Sequence, residues 1–313
     1  MKKPLVILTG PTASGKSGLS VSLAQAIGGE IISADSMQVY RGMDIGSAKI
    51  RPEEMQGVRH HLIDCCDFDE PFNVVRFKKL ADKALSGIYA AGHIPVIVGG
   101  TGFYIQAILR DIDFTETETD TSFREEMMKI ADSEGPEALH RMLEEVDPEA
   151  AAAIHFNNIR RTIRALEFAR HTGERISDHN RAESLKPSPY NFAYFVLRRD
   201  RAALYERIDR RVDEMIREGL EDEVRRLCEA GARSDMISMQ GLGYKELLAY
   251  LSGECTLEEA IELIKKSTRH YAKRQETWFR REKDVIYLDA DSHTAQELLP
   301  AMLSILKEKE ILQ

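Results

Sequence analysis

Short apolar runs alternate along this chain with longer stretches in which apolar residues recur every three or four positions. LVIL (5–8) and IPVIV (94–98) are too short for helices and lack the polar alternation of a strand with one wet face, so they predict strands buried on both sides. EIIS (30–33) reads as a second strand and HHLID (60–64) as a candidate third. Residues 17–27 and 73–91 have helical periodicity, stopped by Gly28-Gly29 and by Gly92. Strands separated by helices predict an α/β fold, a parallel sheet flanked by helices.

The texture changes near residue 113. DIDFTETETDTSF (111–123) is acidic and threonine-rich, and 122–172 is helical in pattern with no strand run. KPSPY (186–190) closes this segment with two prolines, and NFAYFVL (191–197) returns to the sheet. The expected organisation is a core of residues 1–112 and 188–313 interrupted by an all-helical insertion, 113–187. Beyond it the pattern predicts a helix over 201–230, a turn and helix at GLGYKE (241–246), a helix over 257–281 and a last strand, DVIYL (284–288).

Composition adds exclusions. The 313 residues are 43% hydrophobic and 30% charged, as in soluble globular proteins. A net charge of -9 excludes a globally basic nucleic-acid binder, so any basic face must be local. Cys65, Cys66, Cys228 and Cys255 show no C-x-x-C spacing and read as reduced thiols. The apolar run behind Lys2-Lys3 is shorter than the roughly 7–15 residues of a signal-peptide core. No stretch approaches the ~18 apolar residues of a membrane span, and the expected compartment is the cytoplasm.

GPTASGKS fits G-x-x-x-x-G-K-[ST], after a strand and opening a helix. Gly10, Pro11, Thr12, Ala13, Ser14, Gly15, Lys16 and Ser17 would wrap a phosphate group. Backbone N–H groups would meet its oxygens at the positive end of the helix, Lys16 would neutralise charge, and Ser17 would bind Mg²⁺. A nucleotide hydrolase also needs an acid at the end of a buried strand, yet IPVIV runs into Gly99-Gly100-Thr101. No N-K-x-D guanine signature occurs. A phosphate loop without those partners suits a diphosphate leaving a carbon atom. Asp35, after EIIS, falls at the carboxyl edge where ligands sit in open α/β sheets. It would equally cap the next turn, and position alone leaves both roles open.

The chain resembles the tRNA dimethylallyltransferases, also called tRNA isopentenyltransferases. The matching blocks are GPTASGKS, ADSMQVYRGMDIGSAK, HHLID, VGGTGFYIQAIL, NNIRRTIRALE, LYERIDRRVDEMIREGLEDEV, GLGYKE and AKRQETWFR, in the family's order across residues ~10 to 281. The resemblance implies transfer of a dimethylallyl group from dimethylallyl diphosphate to N6 of the adenosine immediately 3′ of the anticodon, with Mg²⁺ as cofactor and tRNA as partner. It implies Asp35 as general base, Thr101 as a positioning hydroxyl, and Arg207 with Lys16 as stabilisers of the departing diphosphate. It also implies RNA contacts by Asp35, Ser36, Met37, Gln38, Thr101, Asn158, Arg160, Arg161, Arg164, Lys273, Arg274 and Arg280.

Local charge accords with that partner. Residues 265–283 carry Lys265, Lys266, Arg269, Lys273, Arg274, Arg280, Arg281 and Lys283 against Glu276 and Glu282, a net +6. An apolar stripe through Leu257, Ile261, Ile264, Tyr271 and Trp278 is expected to pack on the core. A monomer is expected. A small-molecule or nucleotide kinase shares the loop and the α/β core, and a non-catalytic P-loop RNA-binding protein shares the basic helices. Neither accounts for all eight ordered blocks.

Overall fold

The computed structural model describes residues 2–114 and 121–312. Residues 115–120, within the acidic stretch read above as a boundary, lie outside the described residues. The chain forms two compact units, one of residues 1–109 and 189–313, the other of 110–188.

The first unit begins with β1 (Lys3–Thr9), α1 (Lys16–Ile27), β2 (Gly29–Ser33) and β3 (His60–His61). Then come α2 (Val74–Ala90), which Asn73 caps by accepting from Arg76 N at 3.0 Å, β4 (Ile94–Gly99) and α3 (Gly102–Leu109). The elements described in the second unit are all helices: α4 (Thr121–Glu134), α5 (Pro136–Val146), α6 (Pro148–Ala153), α7 (Ile159–Thr172) and α8 (Ile176–Leu185). The chain returns to the first unit through β5 (Tyr190–Arg198), α9 (Arg201–Arg217), α10 (Leu220–Glu229), α11 (Tyr244–Leu251), α12 (Leu257–Phe279), β6 (Val285–Asp289) and α13 (Ala295–Glu308).

One sequence expectation is corrected here. The single helix expected over 201–230 is two, because Gly219 adopts φ 98° and so ends α9 and opens α10. A left-handed residue cannot continue a right-handed helix, and glycine takes that conformation without a Cβ clash.

Among the described residues the six strands are all parallel, in the order β3-β2-β4-β1-β5-β6. Successive β1 side chains serve opposite faces. Leu5 and Ile7 join a core with Phe77, Tyr104, Leu247 and Phe279, whereas Val6 and Leu8 join one with Leu19, Leu23, Met302 and Leu306. The period-2 pleat thus buries both sides of the strand, which is why its sequence is apolar without alternation. β1 lies between β4 and β5, so the connections leaving the carboxyl ends of these central strands diverge into a crevice.

The second unit has its own core of Phe123, Met127, Leu139, Leu143, Ile163 and Leu166. Two buried acids knit it. Asp147 accepts from Ala150 N, Ser177 N and Ser177 Oγ, and Glu167 is clamped by Arg124 at 2.8 Å and Arg164 at 3.0 Å. Among the described residues, no helix is long and apolar enough to cross a membrane.

Candidate active site

The phosphate-loop motif forms the turn between β1 and α1. Its entrance is fixed by close approach: a Cβ on Gly10 would stand 2.8 Å from the Leu197 carbonyl oxygen. Lys16, the first residue of α1, folds back into its own loop, where Nζ donates to the carbonyl oxygens of Gly10 at 2.9 Å and Pro11 at 2.7 Å. Burial, and then the nearby Arg211 guanidinium, push the Lys16 pKa down to about 7, against the opposing pull of the Asp35 carboxylate. A lysine held at such a value gains its full charge when an anion arrives beside it.

Side chains from far along the chain brace the loop. Arg199 Nε donates to Ser14 O at 3.0 Å, and Arg207 Nε to Ala13 O at 2.9 Å. Arg211 Nη1 reaches Thr12 Oγ1 at 3.5 Å, and Gln275 Oε1 accepts from Thr12 N at 2.9 Å. Arg211 escaped the sequence reading. It is the cation whose field acts on Lys16 and is itself opposed by Asp35, while burial lowers its own pKa. The signal available was its spacing, four residues after Arg207 and so on the same face of α9.

Asp35 caps the turn, and its side chain also faces a cavity. Its Oδ1 accepts from Met37 N at 2.8 Å and Gln38 N at 3.3 Å, capping the turn after β2. Its Oδ2 takes no protein hydrogen bond among the described residues. The side chain lines a cavity of about 560 Å³ together with Lys16, Ser17, Arg207, Arg211 and Tyr271. Burial first, and the Asp35 charge second, push the Tyr271 phenol up to about 12, so it remains a protonated donor. Thr101 N donates to Ala34 O at 3.1 Å, which anchors Thr101 beside Asp35, and its buried hydroxyl lies by the Tyr271 phenol. The phosphate loop and a carboxylate with a spare oxygen thus line one cavity.

The profile of the family described as IPP transferase matches residues 38–282, and that of isopentenyl transferase matches residues 3–70. The chain belongs to the IPP transferase family. It is 58% identical over 312 residues, 99% of this chain and all of the relative, to a tRNA dimethylallyltransferase of Lachnoclostridium phytofermentans. It is similar to the full-length tRNA isopentenylpyrophosphate transferase of Bacillus halodurans, at 46% identity and TM-score 0.74 over 99% of this chain and 98% of that one. A eukaryotic dimethylallyltransferase, solved acting on tRNA, is 30% identical with TM-score 0.82, over 98% of this chain and 80% of that one. An IPP transferase is an enzyme, a transferase of prenyl groups.

Several of the blocks shared with this family prove to be architectural. The Glu223 carboxylate of α10 accepts from Asp44 N, Ile45 N and Gly46 N at 2.8–3.1 Å and from Tyr244 OH at 2.7 Å. Gly46 lies under the Tyr244 ring, where a Cβ would meet it at 2.6 Å. So MDIGSAK, GLEDEV and GLGYKE form one clasp that holds the loop leading away from Asp35. Met37 packs on Gly241 from the same side, while Ser36 and Gln38 stay half-buried and Gln38 lines the cavity.

The basic faces of this IPP transferase are narrower than charge counting suggests. On α12, Lys265 pairs with Asp213 at 2.8 Å and Arg269 with Asp209 at 2.6 Å, so both hold α12 to α9. Lys266, Lys273, Arg274, Arg280, Arg281 and Lys283 remain exposed, with Arg274 over the Tyr271 ring. Leu257, Ile261, Ile264 and Trp278 pack on the core as the stripe predicts, but Tyr271 turns to the cavity instead. In the second unit, Asn158 caps α7 without a side-chain hydrogen bond and Arg160 and Arg161 are exposed, whereas Arg164 holds buried Glu167.

Proposed function

We infer that this IPP transferase moves a dimethylallyl group from its diphosphate to N6 of the adenosine immediately 3′ of the anticodon in tRNA. The observation that carries the reading is one cavity lined by both the phosphate loop and Asp35, beside a strand, β4, that ends in Gly99 and not in an acid. Adenine N6 is a weak nucleophile because its lone pair is delocalised into the ring, so it must shed a proton as it attacks the allylic carbon. Asp35 Oδ1 is committed to the turn, and Oδ2 takes that proton. The C–O bond breaks with its electron pair going to the diphosphate. Loop N–H groups, Lys16 and Arg211 meet the charge that builds there, and Arg207 keeps the loop in shape.

A divalent cation fits the residues present. Ser17 offers a hydroxyl in the cavity. Such a hydroxyl would be the loop's contact to Mg²⁺ held at the substrate phosphates. When bound it would add positive charge at the leaving group.

For tRNA, Arg160, Arg161 and Asn158 on one unit and Lys273, Arg274 and Arg280 on the other serve as phosphate contacts, with Arg164 mainly structural. The target base must leave the stack, at a cost of a few kcal/mol that such contacts offset. The test is incubation with labelled dimethylallyl diphosphate, Mg²⁺ and unmodified tRNA, followed by mass analysis of the nucleosides. One dimethylallyl-adenosine per tRNA is expected, and none when guanosine replaces the target. Label on any other nucleoside contradicts the assignment.

A further inference from the structure

Gln275 lies near the C-terminal end of α12 with only 5% of its surface exposed, and both polar ends of its amide are engaged. Oε1 accepts from Thr12 N in the phosphate loop at 2.9 Å, and Nε2 donates to Gly100 O at the end of β4 at 2.9 Å. The contact with β4 is tight, since a Cβ on Gly100 would stand 2.1 Å from Nε2. One primary amide therefore spans the mouths of two adjacent strands, β1 and β4. The first mouth carries the anion cradle. The second carries Thr101, which is itself tied to Ala34 beside Asp35.

We propose that Gln275 is a positioning residue that sets the distance between the donor half of the site and the acceptor half. This rests on the transfer reading above. In-line displacement needs the attacking nitrogen, the allylic carbon and the leaving oxygen aligned within a few tenths of an ångström, and a 1 Å misplacement costs about 10²-fold in rate. The parallel strands fix the loops only at their bases; beyond them each loop follows its own turn. Thr12 N and Gly100 O are the two backbone groups that Gln275 joins, so its length is the gauge. Arg211 and Lys16 then hold diphosphate on one side of the gauge while Asp35 and Thr101 hold the base on the other.

A gauge has a distinctive failure. When the halves drift apart, the donor still binds but its carbon no longer meets N6. Water then competes: its oxygen bonds to the allylic carbon, the C–O bond breaks with its pair on the diphosphate, and the water proton passes to solvent, giving the allylic alcohol. A merely structural loss of active enzyme lowers transfer and hydrolysis together.

The test compares full-length wild type, Gln275→Met and Gln275→Glu under saturating donor and tRNA. Gln275→Met, similar in length but unable to make either bond, should transfer about 10–100-fold more slowly. Its affinity for inorganic diphosphate should stay within about threefold, while hydrolysis relative to transfer rises about tenfold or more on the same argument. Gln275→Glu supplies the acceptor for Thr12 N but sets an ionised carboxylate against the Gly100 carbonyl. Protonated, a glutamic acid reproduces both amide bonds, and burial raises such a carboxyl toward neutrality. Its rate relative to wild type should therefore recover as pH falls from about 8 to about 6, with no such recovery for Gln275→Met. A methionine variant within threefold of wild type, an unchanged ratio of hydrolysis to transfer, or a flat relative pH profile for the glutamate variant overturns the proposal. Should Gln275→Met fail to fold, the glutamate profile decides alone. The wild-type arm tests the transfer reading separately, because failure there is failure to prenylate at all.

Discussion

The Asp35 carboxylate receives the backbone N–H of Met37 at 2.8 Å through Oδ1, so one oxygen shapes the turn while the other faces the cavity. This division gives the two obvious substitutions different signatures. Asp35→Asn keeps an acceptor for Met37 N, because asparagine caps about as well as aspartate, and should fold with near wild-type stability. It cannot take a proton, so single-turnover transfer should fall by roughly 10²–10⁴-fold. Asp35→Ala should lose the same activity and about 0.5–2 kcal/mol of stability as well. Thermal melts alongside single-turnover rates check this; an asparagine variant within a few-fold of wild type would leave Asp35 as a cap and nothing more.

Lys16 makes donor binding depend on pH near neutrality. Its folded pKa is depressed to about 7, so the free enzyme holds it charged below that value and neutral above. A bound diphosphate favours the ammonium, which ties binding to proton uptake above pH 7. The Lys16 contribution to diphosphate affinity should be complete below about pH 7 and be lost as pH rises above it. Titration calorimetry in buffers of different ionisation enthalpy measures the protons taken up. Lys16→Arg should bind with a flat profile over the same range, and an equally steep profile in that variant would move the titration elsewhere.

Arg211 and Arg207 should separate chemistry from loop support. Removing Arg211, whose charge acts directly on Lys16 and Asp35, should lower the transfer rate by about 10²–10³-fold, in the range of one lost transition-state donor. Arg207→Ala frees the Ala13 carbonyl and should mainly weaken diphosphate binding. Steady-state kinetics with each variant would show the split, and equal losses in kcat and KM for both would erase the distinction.

In the second unit the three arginines should not behave alike. Arg160→Ala and Arg161→Ala should raise the KM for tRNA and change the salt slope by ~0.7 for each lost phosphate contact, with stability unchanged. Arg164→Ala leaves buried Glu167 with Arg124 alone and should cost stability first. Melting curves and salt titrations of tRNA binding check both halves; a salt slope unmoved in Arg160→Ala and Arg161→Ala takes α7 off the RNA path.

The strands were legible because a buried parallel strand needs a compact apolar run, and LVIL and IPVIV have little else they can be. The break in 201–230 was not, since a glycine within a periodic pattern reveals its φ only in three dimensions. The loop around Lys16 and the turn capped by Asp35 were legible because their hydrogen-bond partners adjoin them in sequence. Gln275 and Arg211 were not: their partners stand 263 and 199 positions away, and only the fold brings them together. The charge run of 265–283 misled in proportion to its ion pairs, because Asp209 and Asp213 lie on another helix. Blocks such as GLGYKE identify the family without revealing that their work is to clasp a loop around Glu223.

The central claim is that the phosphate loop holds a diphosphate leaving from carbon and not a nucleotide undergoing phosphoryl transfer. Stoichiometry tests it most directly. Enzyme in excess over unmodified tRNA is mixed with labelled dimethylallyl diphosphate and ATP, quenched through one turnover, and assayed for diphosphate, prenylated adenosine and ATP together. The account predicts one diphosphate released for each adenosine alkylated at N6, at the same rate, with ATP untouched. ATP consumed in step with product, or diphosphate released while the tRNA stays unmodified, would contradict it.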